Sequence, residues 1–210
     1  MKQLVALFLF LLALTSPVAG AAELQEVIKG VEGKYASVKV MQADFVQTTR
    51  SEIFGEEVQR GHVTLKRPSM MLWNFTNEKQ FVTDGKTMWI YTKADNQVIQ
   101  YDDISGATST ADSLLQSLDR LSELFDVVLS GETEETLALT LSPKQDDSQF
   151  KRIQLTLNRE YVVQRLVIDD AFNNVTELGF AKIELEGEVP DSAFRFDVPE
   201  GAEVITAGSM

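Results

Sequence analysis

The apolar residues of this chain change period three times, and that change constrains the fold more than any other feature. Leu24, Val27, Ile28, Val31 and Tyr35 fall on one stripe of a 3.6-residue period, with Glu23, Glu26, Lys29, Glu32 and Lys34 elsewhere on the wheel, so the spacing predicts an amphipathic helix. From residue 41 the pattern becomes strand-like. Segments near 41–50, 58–66, 70–76, 79–84, 87–93 and 96–102 are short, turn-bounded and rich in β-branched and aromatic residues. The same pattern returns at 136–142, 150–158, 161–169, 174–186 and 194–198, which makes about eleven strands in sequential antiparallel pairs.

The turns agree with that reading. Asp84-Gly85 predicts a type I′ hairpin, because Gly accepts positive φ without a Cβ clash. Pro68 separates two strands, and Asn158-Arg159-Glu160 forms a short connection. Between the strand blocks, from Ser109 to Leu129, Leu114, Leu118, Leu121 and Phe125 recur at helical spacing. Leu115 and Leu124 widen that apolar face, and Asp112, Gln116, Asp119, Arg120 and Glu123 take the rest. Thr110 is a candidate N-cap with Ser113 in place of the Glu of a capping box.

A long antiparallel sheet exposes one apolar face that must be covered by helices or by closure of the sheet. Two helical regions are scarce cover for so many strands. The residues alone leave two readings open: a fully packed barrel or sandwich, with Phe45, Met71, Trp73, Phe75, Trp89 and Tyr91 as ordinary core, or a hollow with room for an apolar guest. A lipid carrier needs the second. Each methylene of an acyl chain left in water costs roughly 0.8 kcal/mol, about 10 kcal/mol for a long chain. Met70, Met71 and Met88 suit a wall that adapts to varied guests.

The first residues read as an export signal. Lys2 precedes an apolar run of eleven residues, Leu4 to Leu14, short of the roughly 20 a spanning helix requires, and Ala19-Gly20-Ala21 offers a cleavage site. Residues 1–21 are thus expected to be removed, leaving residues 22–210 as one domain with a mobile tail from about 206. The formal net charge is −13, and loss of Lys2 makes the remainder more acidic by one. No Lys/Arg cluster suited to nucleic acid is visible, and the acidic balance favours solubility. Cysteine is absent, which excludes disulfides, thiolate chemistry and a cysteine-borne lipid anchor.

Catalysis finds little footing. The single histidine, His62, lies in a strand-like run, no nucleophile elbow occurs, and the acid pairs Asp102-Asp103, Asp146-Asp147 and Asp169-Asp170 read as solvated loops. No enzyme activity, cofactor or metal is expected.

Several separated motifs carry a family resemblance. Gly61-His-Val-Thr-Leu-Lys-Arg67-Pro68-Ser-Met-Met-Leu-Trp73-Asn-Phe75 is followed by Gln80, then by Thr83-Asp84-Gly85-Lys86-Thr-Met-Trp89-Ile-Tyr91. Ala43-Asp44-Phe45-Val46-Gln47 lies near the start, and Phe194-Arg-Phe196-Asp-Val-Pro199-Glu-Gly201-Ala-Glu-Val204-Ile205 near the end. In that order they resemble the LolA family of periplasmic lipoprotein carriers. The resemblance implies a mainly β (α+β) fold, an open half-barrel whose hydrophobic cavity is covered by an N-terminal helix and a helical lid, here residues 111–125. It implies a soluble, monomeric periplasmic carrier that takes acylated lipoproteins from an inner-membrane ABC transporter to an outer-membrane acceptor. Arg67 is then the lid latch, bonding carbonyls of the lid. Phe45, Met71, Trp73, Phe75, Trp89, Tyr91, Leu114, Leu115, Leu118 and Leu121 line the cavity or lid. Two other classes remain: a lipid- or lipoprotein-sensing regulator of envelope stress with the same fold, and a lipid-processing hydrolase, for which the chain offers no triad.

Overall fold

Among the described residues, twelve strands form one sheet in the order β12-β6-β5-β4-β3-β2-β1-β11-β10-β9-β8-β7. The computed structural model describes residues 19–104, 110–144 and 150–207. In chain order the elements are α1 (Ala19–Ala36), β1 (Val40–Ser51), β2 (Gly55–Lys66), β3 (Met70–Phe75), β4 (Lys79–Asp84), β5 (Met88–Thr92) and β6 (Gln97–Tyr101). Then come α2 (Thr110–Gln116), α3 (Leu121–Leu124), β7 (Phe125–Glu132), β8 (Thr136–Pro143), β9 (Phe150–Asn158), β10 (Val163–Asp170), β11 (Val175–Glu184) and β12 (Glu203–Ala207). Every pairing is antiparallel except that of β12 with β6. The strand row begins at β12 and ends at β7, so the sheet is open, as expected of a half-barrel.

β1 joins the two blocks, since it pairs with β2 on one side and β11 on the other. Alternation along each strand puts Met41, Ala43 and Phe45 of β1, Val63 and Leu65 of β2, and Met71, Trp73 and Phe75 of β3 on one face. Leu137, Leu139, Leu141, Ile153, Leu155, Leu157, Leu178 and Phe180 continue that face across the second block. On β10 an irregularity between Val163 and Arg165 shifts the phase, so Val163, Leu166 and Ile168 all point into the same core. The Asn158–Val163 connection is closed by Asn158 Oδ1, which accepts from the amides of Glu160 at 3.0 Å and Val162 at 2.8 Å.

The α1 stripe is buried as its spacing predicts: Val27, Val31 and Tyr35 join the core and Ile28 is also buried. α1 lies close on Tyr161, whose ring would collide with any Cβ at Gly30. Gly61 has the same role within the sheet. It is paired with Phe45 and Phe75, and an added Cβ would run into the Asn74 carbonyl and lie 2.9 Å from the Phe45 ring.

The structure corrects the sequence reading at five places. Residues 125–132 form β7 rather than the end of a helix, because Phe125, Val127 and Leu129 also satisfy a period of two and pair with β8. The segment 194–198 is not a strand. Asp191–Phe194 form a 3-10 turn and the terminal strand is 203–207. That strand takes in Thr206 and Ala207, which pair with Gln100 and Tyr101 instead of starting a tail. In the Asp84–Thr87 turn only Gly85 of the two central residues has positive φ, the pattern of type II′ rather than I′. The helix expected from 109 to 129 is broken into α2, a 3-10 turn at Leu118–Arg120, and α3. Of the expected leader, residues 1–18 lie outside the described residues, as does Asp146-Asp147.

Candidate functional site

The interior of the curved sheet meets the 110–124 segment at the corner between β2 and β3, where Arg67 stands. Its amide donates to the Lys39 carbonyl at 2.9 Å, which holds the residue at the mouth of the core. Its Nη1 donates to the Tyr35 carbonyl at the end of α1, at 3.0 Å, and lies 3.0 Å from Asp119 Oδ2 in the 3-10 turn. Arg67 therefore reaches the lid through a carboxylate and reaches α1 through a carbonyl, where carbonyls of the lid were expected. A guanidinium carries several donors in fixed directions, which allows one side chain to hold two elements. Tyr35 extends the arrangement. Its hydroxyl accepts from the Val163 amide at 3.1 Å, and burial pushes its phenol up in pKa, against the lowering effects of that amide and of Arg67.

Two further polar ties are not legible in the sequence. Trp73 Nε1 donates to Asp112 Oδ1 at 2.9 Å, and Asp112 is only 8% exposed. The helical wheel puts Asp112 on the solvated side, and the one clue to its role is an acid in the first turn beside two buried leucines. At the start of α3, the amide and hydroxyl of Ser122 both donate to Glu32 Oε1 of α1, at 2.8 and 2.7 Å, and Lys144 Nζ donates to the Ser122 carbonyl at 2.7 Å. The segment is thus tied at its first turn to β3, at its middle to the β2–β3 corner, and at its end to α1.

Between these ties the segment presents its leucines inward. Leu114, Leu115, Leu118 and Leu121 are buried in the same core as Phe45, Met71, Trp73 and Phe75. Phe45 is central there, edge-on to Trp73 at 4.8 Å and to Phe75 at 5.2 Å. The expected hollow is therefore filled, and the side chains that fill it are those of the lid. A cavity of about 420 Å³ opens beside it, bordered by Arg67, Ser69, Met71, Asp112, Gln116 and Arg120. Among the described residues, Arg67 Nη2 and Gln116 Oε1 are buried without a hydrogen-bond partner.

Eight of the ten proposed lining residues come together in this core, but Trp89 and Tyr91 do not. Trp73 is paired with Phe81 and Phe81 with Ile90, so Ile90 shares the face of Trp73, and its neighbours Trp89 and Tyr91 point through the other side. There they meet Phe196, at ring distances of 6.1 and 5.8 Å, on the face they share with their buried ladder partners Val82 and Val98. Their register, not their type, removes them from the cavity.

The model of the family described as outer membrane lipoprotein carrier protein LolA matches residues 36–197. The chain belongs to the LolA family. A LolA-family protein of Hahella chejuensis, named outer-membrane lipoprotein carrier protein, is 30% identical over 98% of both chains. One of the same name from Ralstonia nicotianae is 36% identical over 69% of this chain and 68% of its own. Among solved structures, an uncharacterized conserved protein from Thermus thermophilus superposes with a TM-score of 0.54 at 17% identity, covering 87% of this chain and 98% of that one, a likeness of fold alone.

His62 and Asp44 lie on the outer face of the sheet, cross-strand partners in the β1–β2 ladder. His62 Nδ1 is 3.0 Å from Asp44 Oδ1, and Lys182 Nζ is 2.8 Å from Asp44 Oδ2. Hydrogen bonds from Lys182 and then His62 hold the Asp44 carboxyl below its usual range. Of the acid pairs, Asp169 and Asp170 end β10 instead of lying in a loop. Asp169 is bound to Arg152 at 2.6 Å and Asp170 caps the following turn. Among the described residues, no three metal-binding side chains converge and no helix is long and apolar enough to cross a membrane.

Proposed function

We propose that this LolA-family protein is a soluble periplasmic chaperone that shields the acyl chains of lipoproteins, receiving them from an inner-membrane ABC transporter and passing them to an acceptor at the outer membrane. The leader at residues 1–21 is removed, the mature domain begins near Ala22, and the protein works as a monomer without enzymatic chemistry.

The observation that carries this reading is the leucine-lined segment lodged inside the sheet and tied there by a few polar pairs. Replacing Leu114, Leu115, Leu118 and Leu121 by acyl methylenes exchanges one apolar surface for another, so the net change in burial is small and loading is reversible. The ties at Asp112, Asp119 and Ser122 set how readily the segment leaves. Arg67 acts as latch, and Phe45, Met71, Trp73 and Phe75 form the wall that the cargo meets.

The test is to incubate purified protein with a labelled triacylated lipoprotein and then with outer-membrane vesicles. A carrier forms a soluble one-to-one complex and then delivers the label. Capture without delivery would instead mark a sensor, and released acyl groups a hydrolase.

A further inference from the structure

Three large apolar side chains stand in solvent at one end of the sheet: Ile53 is 84% exposed, Phe54 89% and Phe172 78%. Ile53 and Phe54 occupy the turn between β1 and β2, and Phe172 the turn between β10 and β11. Arg50 is paired with Glu56 across one ladder and with Val175 across the other, so the two turns are neighbours at the same end of β2, β1 and β11. We propose that these two tips dock the protein onto the interfacial layer of a zwitterionic phospholipid bilayer.

The backbone of both tips is prepared to leave water. Ser51 Oγ accepts from the amides of Ile53 at 3.3 Å and Phe54 at 3.5 Å. Asp170 Oδ1 accepts from the amides of Phe172 and Asn174, each at 2.8 Å. The amides of all three apolar residues therefore keep a partner when water is displaced, which lowers the cost of placing the turns among lipid headgroups. The same bonds fix the turns, so that the side chains project from ordered tips.

Charge selects the kind of surface. Arg50 is paired with Glu56 at 2.8 Å and Arg152 with Asp169 at 2.6 Å, while Lys151 Nζ donates to Asn173 Oδ1 at 2.5 Å. These cations are engaged within the protein, Glu52 adds a negative charge beside Ile53, and the chain carries −13 overall. An anionic surface would repel such a molecule, whereas apolar insertion into a zwitterionic one needs no counter-charge. The area decides against a protein partner. Two phenylalanines and an isoleucine offer roughly 500 Å², against about 800 Å² on each side of a stable protein interface. Three side chains on convex tips suit a fluid layer better than a shaped pocket.

The experiment uses the intact protein and vesicles of phosphatidylcholine and phosphatidylethanolamine, free of lipoprotein, so its failure leaves the carrier reading untouched. The protein should float with the vesicles, a Phe54→Trp variant should show a blue-shifted emission on their addition, and neither result should depend on salt. The triple variant Ile53→Ser, Phe54→Ser, Phe172→Ser should bind at least tenfold more weakly while keeping its unfolding temperature, because these side chains pack against little. Absence of flotation by the unaltered protein would overturn the proposal. So would binding that requires anionic lipid and disappears with salt, or self-association that buries the tips in place of the bilayer.

Discussion

Arg67 Nη1 lies 3.0 Å from the Asp119 carboxylate and 3.0 Å from the Tyr35 carbonyl, so one guanidinium at the β2–β3 corner holds the lid segment and the first helix together. Both partners of the ion pair are part-buried, which spares it some of the screening that weakens surface pairs. A double-mutant cycle of Arg67→Leu and Asp119→Asn should give a coupling of about 1 kcal/mol. In hydrogen exchange, amides of residues 110–124 should open more readily in either variant. With a weaker closed form, cargo uptake should quicken and its onward transfer slow. A coupling of zero, with uptake and transfer unchanged, would reject the latch.

The bond from Trp73 to Asp112 secures the other end of the segment. Trp73→Phe keeps an aromatic wall but deprives the carboxylate of that donor, at a cost of about 1–3 kcal/mol. Denaturant unfolding checks the cost. Exchange should accelerate most in α2 and least in α3, which is held separately by Glu32.

Two glycines of the same sheet should respond oppositely to alanine. At Gly61 a Cβ meets the Asn74 carbonyl and the Phe45 ring, so Gly61→Ala should lose about 2–3 kcal/mol. At Gly179 nothing lies within 4 Å of an added Cβ, and Gly179→Ala should be neutral or gain a few tenths of a kcal/mol by restricting the unfolded chain. Paired thermal melts decide both.

Acid should loosen the sheet in a predictable window. A hydrogen bond from Arg165 and its charge, and less strongly a hydrogen bond from Arg50, hold the Glu177 carboxyl below its ordinary value of 4.5, as Lys182 and His62 do for Asp44 below 3.8. A carboxyl whose pKa is lowered by folding contributes its stability above the unfolded value and loses it as pH falls through the folded one. Urea midpoints should therefore decline from about pH 4.5 downward, and Arg165→Met should shrink the Glu177 share of that decline. A midpoint that is flat over this range in the unaltered protein would contradict the assignment.

Much of the fold was legible because local periodicity reports local structure. The stripe from Leu24 to Tyr35 buries as one helical face, and the alternations around Met41–Phe45 and Met71–Phe75 become strands that face the core. Phe125, Val127 and Leu129 satisfied two periods at once, and only the ladder with β8 chose between them. Phe194 and Phe196 alternate like a strand, yet Phe194 sits buried in a 3-10 turn and Phe196 covers Trp89 and Tyr91, while the true last strand needed the distant edge of β6.

The sequence by itself determined which residues share a face within each element, that a leucine-rich helical segment interrupts the strands, and that Arg67 belongs to a motif. Tertiary structure alone decided which side of the sheet Trp89 and Tyr91 occupy, that Asp112, Asp119 and Glu32 tie down the lid, and that its leucines fill the hollow. The reason is register: alternation fixes phase inside a strand, but only pairing across the sheet carries that phase from Trp73 through Phe81 to Ile90 and turns its two neighbours outward.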